Sequence, residues 1–316
     1  MKVPIYFYYP NKISNSLDYK SGLDCWILKT YLILKKKNTE FDISIGNTIP
    51  EKGIILFHKG FFPKDKIPNK TQLFVCIQAD YGRYKHAQCH IMQNPAGINN
   101  IVFSKKSFFE ELLFRFTKNF FLPHWNQDHI IARDNSRGST FENVCFYGVT
   151  QNFPKELVEE DFALKLSKEG IKLDIITESN QWNDYSQTDC VLAIRDFTNK
   201  THFNKPFSKI INGYLAGVPV IAGNESSAHY LKNKVKINLP IVKSKEECFD
   251  AIIALKKEYA KKLIEVQNDN EKLKKFKDKS IEIEWENLLV ALEQKYSCWQ
   301  ISSVLTKKIF YKFCRI

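Results

Sequence analysis

Residues 203–223 have the sequence FNKPFSKIINGYLAGVPVIAG, in which a helix pattern runs directly into a strand pattern. Pro206 suits the first turn of a helix, because that position needs no backbone N–H. Apolar residues then follow at the spacing of one helix face, namely Phe207, Ile210, Ile211 and Tyr214. Gly217 marks the end of the helix, which is predicted over 206–216, and a buried strand is predicted over 218–222. A helix that returns the chain to a buried strand is typical of a doubly wound α/β sheet.

A polar stripe on another face of this helix is formed by Lys205, Ser208, Lys209 and Asn212. Both lysines stand in the predicted first turn, where the helix N-terminus already carries partial positive charge. An anion bound there would remove the conflict, and the free backbone N–H groups would help to hold it. A diphosphate fits this description, and the alternative is an ordinary solvated face with two lysines.

Further candidate residues follow two predicted strands, at the sheet edge where doubly wound proteins bind ligands. After strand 218–222 comes Glu225, which can accept hydrogen bonds from ribose hydroxyls, followed by Ser226 and Ser227, which can donate to phosphate. Arg195 ends the strand predicted over 189–195. In the alternative interpretation Asn224 caps a helix whose first turn Glu225 favours, and Arg195 forms an ordinary salt bridge.

Outside this segment, short apolar strands alternate with amphipathic helices, which predicts a doubly wound sheet in each half of the chain. In the first half the predicted elements are strands at 3–9, 53–57, 72–79, 87–92 and 101–104 and a helix at 23–36. In the second half they are strands at 144–148 and 172–177 and helices at 154–169, from about 225, at 244–260 and at 281–296. The polar stretch 124–143 is the predicted connection between the halves.

The composition indicates an intracellular globular protein. A chain of 316 residues corresponds to roughly two domains, and 44% hydrophobic with 26% charged residues is typical of a folded protein. None of the eight cysteines forms a CxxC pair, and most lie in apolar runs, which favours thiols in a reducing compartment. No window approaches the ~20 apolar residues that cross a bilayer. We therefore expect a cytoplasmic protein.

The net charge of +12 favours an anionic partner: nucleic acid, anionic lipid or a phosphorylated substrate. Zinc-finger spacing, an RNP-type aromatic strand and a helix-turn-helix pattern are all missing from the sequence, so nucleic acid is not the expected partner.

An ordered set of motifs between Trp182 and Leu231 resembles the donor domain of bacterial GT-B glycosyltransferases. Its parts are Trp182-x-Asp184-Tyr185-Ser186, Asp189-x-Val191-Leu192-Ala193-x-Arg195, Lys205-Pro206-x-Ser208-Lys209-x-x-Asn212, Leu215 to Gly223, and Glu225-Ser226. Similar pieces occur upstream at Asp80, Gln93-Asn94-Pro95, Arg133-Asp134, Arg137-Gly138 and Phe146-x-Gly148. The Gly-rich loop common after the first strand of such proteins is reduced here to Gly22.

The resemblance implies two Rossmann-like domains facing a cleft, with a nucleotide-sugar donor held mainly by the C-terminal one. We expect an acceptor domain at 1–140, a donor domain at 141–280, and C-terminal helices at 281–316 that can cross back to the first domain. The family usually needs no bound metal, and no DxD element occurs here, so neither a metal nor another cofactor is expected. The acceptor would be a glycan or a lipid-linked glycan of surface polysaccharide or lipopolysaccharide synthesis.

Sugar transfer releases a nucleoside diphosphate, whose developing charge Lys205, Lys209 and Arg195 would stabilise. An inverting enzyme also needs a base for the acceptor hydroxyl, and Asp24 and Asp80 are the candidates in the N-terminal half. A retaining mechanism would need neither, and simple pairing with the helix dipole is the alternative for Asp24.

The tail 301–316 interleaves basic with aromatic and aliphatic residues, a pattern typical of an anchor in anionic membranes. The alternative is a last helix packed on the body of the protein. The same tail keeps open a different function, that of a non-catalytic basic binding protein for membrane or nucleic acid.

Overall fold

The computed structural model describes residues 2–13, 21–37, 40–99 and 118–302, together with residues 304, 307, 308, 310 and 312. The chain forms two compact units. The first domain comprises Met1–Trp125 and Asp278–Ile316, and the second domain comprises Asn126–Lys277. Each is an α/β unit built on a parallel sheet.

In the described part of the first domain, parallel strands form one sheet in the order β2-β1-β3-β4-β5-β6. Their bounds are Pro4–Tyr8 (β1), Asp42–Gly46 (β2), Gly53–His58 (β3), Gln72–Ile77 (β4), Cys89–Met92 (β5) and Lys118–Phe121 (β6). Every residue of β3 and β4 is buried, as expected for central parallel strands with continuous apolar sequences. The helices are a π-helical segment at Asp24–Lys29 that continues into α1 (Thr30–Lys36), and α2 (Ala96–Asn99).

The second domain has the strand order β11-β10-β9-β7-β8, again all parallel. These strands are Asn143–Tyr147 (β7), Lys172–Ile176 (β8), Cys190–Ala193 (β9), Val220–Gly223 (β10) and Ile241–Val242 (β11). The helices are α3 (Lys155–Val158), α4 (Glu160–Lys168), α5 (Ser208–Leu215), α6 (Ser226–Tyr230) with a π-helical extension at Leu231–Val235, α7 (Lys245–Lys257) and α8 (Tyr259–Lys272). Helix α7 is capped by Ser244, whose hydroxyl oxygen accepts from the Glu247 N–H at 3.1 Å.

The last helix, α9 (Asp278–Ile301), completes the core of the first domain rather than the second. Its buried face includes Ile281, Trp285, Leu289 and Leu292, which pack with residues of β1, β3 and β4. The sequence pattern predicted a helix over 281–296, and the resemblance implied that the C-terminal helices can cross back to the first domain, where α9 packs.

Several predicted elements differ from the structure in their bounds. Strands β2 and β6 were not predicted, because each is short and lies at an edge of its sheet, where half-exposed polar residues weaken the apolar pattern. The helix predicted over 154–169 is interrupted at Glu159, whose backbone is extended, and helix α8 was missed. The strand predicted over 101–104 lies outside the described residues.

Asp189 holds the connecting segment onto the second domain. Its fully buried carboxylate accepts from Arg133 Nη2 at 2.8 Å, from Arg137 Nη2 at 2.7 Å, and from the backbone N–H groups of Glu142 and Asn143. Burial alone would raise the pKa of Asp189, but these hydrogen bonds together lower it. The boundary therefore lies between Trp125 and Asn126, earlier than the expected 140/141, because residues 131–143 bond to the second domain.

Two described residues of the tail, Lys307 and Phe310, are buried on the first domain, whereas Ile301 and Val304 are exposed. Phe310 is 4% exposed and meets Trp299 edge to face, with 5.3 Å between ring centroids. Lys307 is also buried, and its Nζ lies 5.6 Å from the Trp299 ring. A membrane anchor needs such side chains to face lipid, so the anchor hypothesis is wrong for these two residues. Lys308 and Lys312 are exposed, and the other basic and aromatic positions of 301–316 lie outside the described residues.

Among the described residues, no helix combines the length and the apolar character that a membrane crossing requires. The seven described cysteines are all free thiols, and five of them are buried.

Replacing Asp189 by alanine should destabilise the second domain by about 3–5 kcal/mol, because two arginine side chains would lose their buried partner. Asp174→Ala is the matched control, since Asp174 pairs with Lys172 at the surface and its loss should cost under ~1 kcal/mol. Urea unfolding followed by hydrogen exchange in peptides from β7 and β9 measures both. Equal unfolding midpoints for the two variants would show that the network does not hold the domain together.

Candidate functional site

The order of strands in the second sheet creates a place where a ligand can bind. β7 and β9 are neighbours, but the connection after β7 leads to β8 on one side and the connection after β9 leads to β10 on the other. This reversal opens a crevice at the carboxyl ends of β7 and β9. Gly148 follows β7, Arg195 follows β9 and Glu225 follows β10. The fold therefore gathers these three positions at one edge of the sheet.

A small pocket lies at this edge. Four of the predicted donor-binding residues line it: Arg195, Lys209, Glu225 and Ser227. Its apolar wall consists of Ala193, Ile194, Pro206, Phe207, Ile210 and Ala228. A small apolar pocket with a few convergent polar groups is the usual form of a small-molecule site.

Arg195 and Glu225 form an ion pair in the pocket through Arg195 Nη1 and Glu225 Oε2. Glu225 is 3% exposed, and its other oxygen, Oε1, is buried without a hydrogen-bond partner among the described residues. A buried carboxylate oxygen without a donor costs free energy, so a ligand hydroxyl placed there would be favoured.

Lys209 is half-buried and has no carboxylate partner among the described residues. Its Nζ stands 3.8 Å from the centre of the Phe146 ring, and no described residue hydrogen-bonds to it. The pKa of Lys209 is lowered to about 7, mainly by burial and also by the charges of Arg195 and Lys205, while Glu225 opposes the shift. An anion in the pocket would favour the ammonium form and raise the pKa again.

Gly148 gives the lysine the space it occupies. Its φ of +148° is a backbone conformation that favours glycine, and a Cβ built here would lie 2.8 Å from Lys209 Nζ. Gly148 and Phe146 were not predicted as site residues. The sequence signal that points to them is a glycine placed directly after a buried strand.

The predicted polar stripe of Lys205, Ser208, Lys209 and Asn212 does not form as expected. α5 begins at Ser208, so Lys205 precedes the helix and only Lys209 stands in its first turn. Asn212 is buried away from the pocket, where its Oδ1 accepts from the Gln127 N–H at 3.4 Å and its side chain bonds to Tyr185. Neither Lys205, Ser208 nor Asn212 is among the residues that line the pocket.

The two serines after Glu225 have different surroundings. Ser227 is buried and lines the pocket. Ser226 opens α6, and its N–H donates to the Thr201 carbonyl at 3.0 Å, so this backbone group is already used within the protein.

The two candidate bases lie in the first domain. Asp24 closes a capping box with Ser21: its Oδ2 accepts from the Ser21 hydroxyl at 2.8 Å, and its N–H donates to the Ser21 Oγ at 3.1 Å. Its other oxygen accepts from the Tyr9 hydroxyl at 2.6 Å. Asp80 is exposed and accepts from Gln93 Nε2 at 2.9 Å. Asp80 thus offers a more accessible carboxylate than Asp24.

Within the described residues, no group of three or more His, Cys, Asp or Glu side chains is arranged to hold a metal ion.

Comparisons with known proteins show similarity in structure alone. No family model matches the chain, and no curated protein matches its sequence. HepE of Anabaena in complex with UDP and glucose is similar with a TM-score of 0.54 and 9% identity, over 92% of this chain and 99% of that one. The HepE complex with UDP gives a TM-score of 0.51 and 10% identity, over 92% and 100%. AviGT4, a glycosyltransferase involved in avilamycin A biosynthesis, gives a TM-score of 0.48 and 9% identity, over 95% and 99%.

At such low identity the similarity to HepE shows the fold. The predicted class, two Rossmann-like α/β domains of the GT-B type, is confirmed.

The contribution of Lys209 to stability should rise between pH 7 and about 10, because its folded-state pKa is about 7 and its unfolded value is near the ordinary 10.5. In this window the Lys209 side chain binds more protons in the unfolded state, so its contribution to the free energy of unfolding increases with pH. Lys209→Met should remove this part of the rise and make the unliganded protein more stable at pH 7.

Melting curves of the parent and Lys209→Met at pH 7 and 9.5 test this. The control is Lys168→Met, which removes an exposed lysine from α4 of the same domain. Identical pH dependence in all three proteins would contradict the account of Lys209.

Proposed function

We propose that this chain is a glycosyltransferase that moves a sugar from a nucleotide-sugar donor to a glycan or lipid-linked acceptor. One observation carries the proposal: Lys209 and Arg195 converge with Glu225 in a pocket at the switch point of a parallel sheet, and Lys209 has no carboxylate partner of its own among the described residues. The GT-B fold shared with HepE, whose structures contain UDP and glucose, supports the same function.

The diphosphate of the donor would lie between Lys209 Nζ and Arg195, with the Ser227 hydroxyl as a further donor. Lys205 adds positive charge nearby, since it is one of the charges that lower the pKa of Lys209. As the bond to the sugar breaks, negative charge grows on the departing diphosphate, and fixed cations in a partly buried site stabilise it. The residues that bind the donor therefore also lower the barrier.

Glu225 would receive the ribose of the donor. Its Oε1 lacks a partner among the described residues, while Oε2 is held by Arg195, so the free oxygen can accept a ribose hydroxyl. Ribose is remote from the bond that breaks, so this contact should contribute to binding rather than to the chemical step.

Finer features of the proposal rest on the resemblance noted in the sequence. We propose a reaction without a bound metal, in the cytoplasm, that serves the synthesis of a surface polysaccharide. If the mechanism inverts the anomeric centre, Asp80 is a better candidate for the base than Asp24, whose two oxygens already accept hydrogen bonds from Tyr9 and Ser21.

Lys209→Met should weaken the binding of a nucleoside diphosphate by roughly 10- to 150-fold, which corresponds to the ~1.5–3 kcal/mol of a hydrogen bond to a charged group. Gly148→Ala should weaken it as well, because the new methyl group displaces Nζ while the charge remains. Calorimetric titration with UDP and with GDP, in the presence and absence of EDTA, measures these affinities.

Lys168→Met is again the control and should bind like the parent. Parent affinity in Lys209→Met for whichever nucleotide binds would remove the basis of the proposal. Release of free nucleotide from a panel of nucleotide sugars then distinguishes an enzyme from a protein that only binds the nucleotide.

A further inference from the structure

The first sheet has its own switch point, and polar and aromatic side chains gather there. β1 pairs with β2 on one side and with β3 on the other, so a crevice opens at the carboxyl ends of β1 and β3. His58 is the last residue of β3 and is 3% exposed. The function proposed above makes no use of this histidine.

His58 presents a fixed hydrogen-bond donor. Its Nδ1 accepts from the Gly60 N–H at 3.2 Å, so the neutral ring carries its proton on Nε2. Burial lowers the pKa of His58 to about 4, Asp80 opposes this shift and His124 adds to it, so the ring is neutral at pH 7. No described residue hydrogen-bonds to Nε2, whose N–H is therefore available to a ligand.

Gly22 leaves the approach to this donor open. A Cβ on Gly22 would lie 3.6 Å from His58 Nε2, and Gly22 is itself exposed. The backbone here is fixed by the neighbouring capping box of Ser21 and Asp24. Gly22, to which the expected glycine-rich loop is reduced, thus lies where a side chain would cover the Nε2–H donor of His58.

Two aromatic rings flank the imidazole and remain open to solvent. Phe61 is 43% and Tyr81 48% exposed, and their ring centroids lie 5.2 and 5.7 Å from that of His58. Gly60 permits this approach, because a Cβ there would lie 2.6 Å from the Tyr81 ring. Asp80, next to Tyr81, is exposed as well and provides a carboxylate.

We infer that this cluster of Gly22, His58, Phe61, Asp80 and Tyr81 binds a neutral pyranose ring. The C–H face of a sugar packs on aromatic faces, whose negative quadrupole attracts it. The sugar hydroxyls can accept from His58 Nε2 and donate to the carboxylate.

This sugar would be the part of the acceptor next to the reacting hydroxyl. That role depends on the proposed glycosyltransferase function, whereas binding of the sugar does not.

Saturation-transfer NMR on the full chain, without nucleotide, tests the inference with the methyl pyranosides of glucose, galactose and N-acetylglucosamine. At least one glycoside should receive saturation at its ring C–H protons. Phe61→Ala and Tyr81→Ala should each weaken it roughly two- to twelvefold, the range that aromatic contacts contribute. Gly22→Ala, which fits sterically but covers Nε2, should weaken it also, and Leu164→Ala, an exposed residue of the second domain, should not.

Absence of saturation transfer for all three glycosides, or affinities that the Phe61 and Tyr81 variants leave unchanged, would overturn the inference. Displacement of the glycoside by UDP with equal loss in the same variants would also overturn it, since the cluster would then bind nucleotide. Calorimetry with UDP and with GDP on the same samples separates the two proposals: a chain that binds a glycoside but neither nucleotide keeps this subsite and contradicts the proposed function.

Discussion

The placement of one ammonium group determines what the second domain can bind. Lys209 Nζ lies over the Phe146 ring, close to the backbone of Gly148 and without a carboxylate partner among the described residues. Among the described residues that line the pocket, Glu225 is the only carboxylate, and it is already paired with Arg195. Two cations therefore share one anion in a partly buried space, and desolvated charge without compensation is unfavourable. A bound diphosphate would compensate the excess positive charge. The free energy that this charge costs in the unliganded protein is relieved on binding and so adds to the affinity for the ligand.

The parallel sheets explain why such groups meet although they are far apart in sequence. Residues that follow β7, β9 and β10 are separated by long segments, but all reach the same edge because the strands run in one direction. In the first domain, the carboxyl ends of the parallel strands β1 and β3 likewise bring His58 and Gly22 together. In the second domain, the buried Asp189 network supports the pocket from the opposite end of the sheet, since it ties the start of β9 to the start of β7.

The sequence predicted those parts of the site that depend on strand ends. Arg195, Glu225 and Ser227 follow buried strands and line the pocket, and Lys209 was found because a cation in a first helical turn is unfavourable. Asn212 was placed with them by helix spacing, yet it faces Gln127, because spacing cannot show where a helix begins or what packs on its polar side. Phe146, Gly148 and His58 were missed, since a ring face, a backbone angle and a fixed tautomer exist only once the chain has folded. The fold class was predictable from the alternating elements, while the placement of α9 on the first domain depends on contacts distant in sequence.

Proton uptake on nucleotide binding tests most directly whether Lys209 is a cation in need of an anion. Near pH 8 the free protein holds Lys209 largely neutral, because its pKa is about 7, and a bound diphosphate should raise that pKa. UDP titrated into the full chain at about pH 8, in two buffers of different ionisation enthalpy, should then release different heats, with net uptake of protons by the complex. Lys209→Met should abolish the difference. Equal heats in both buffers, with UDP bound as tightly to Lys209→Met as to the parent, would contradict the account.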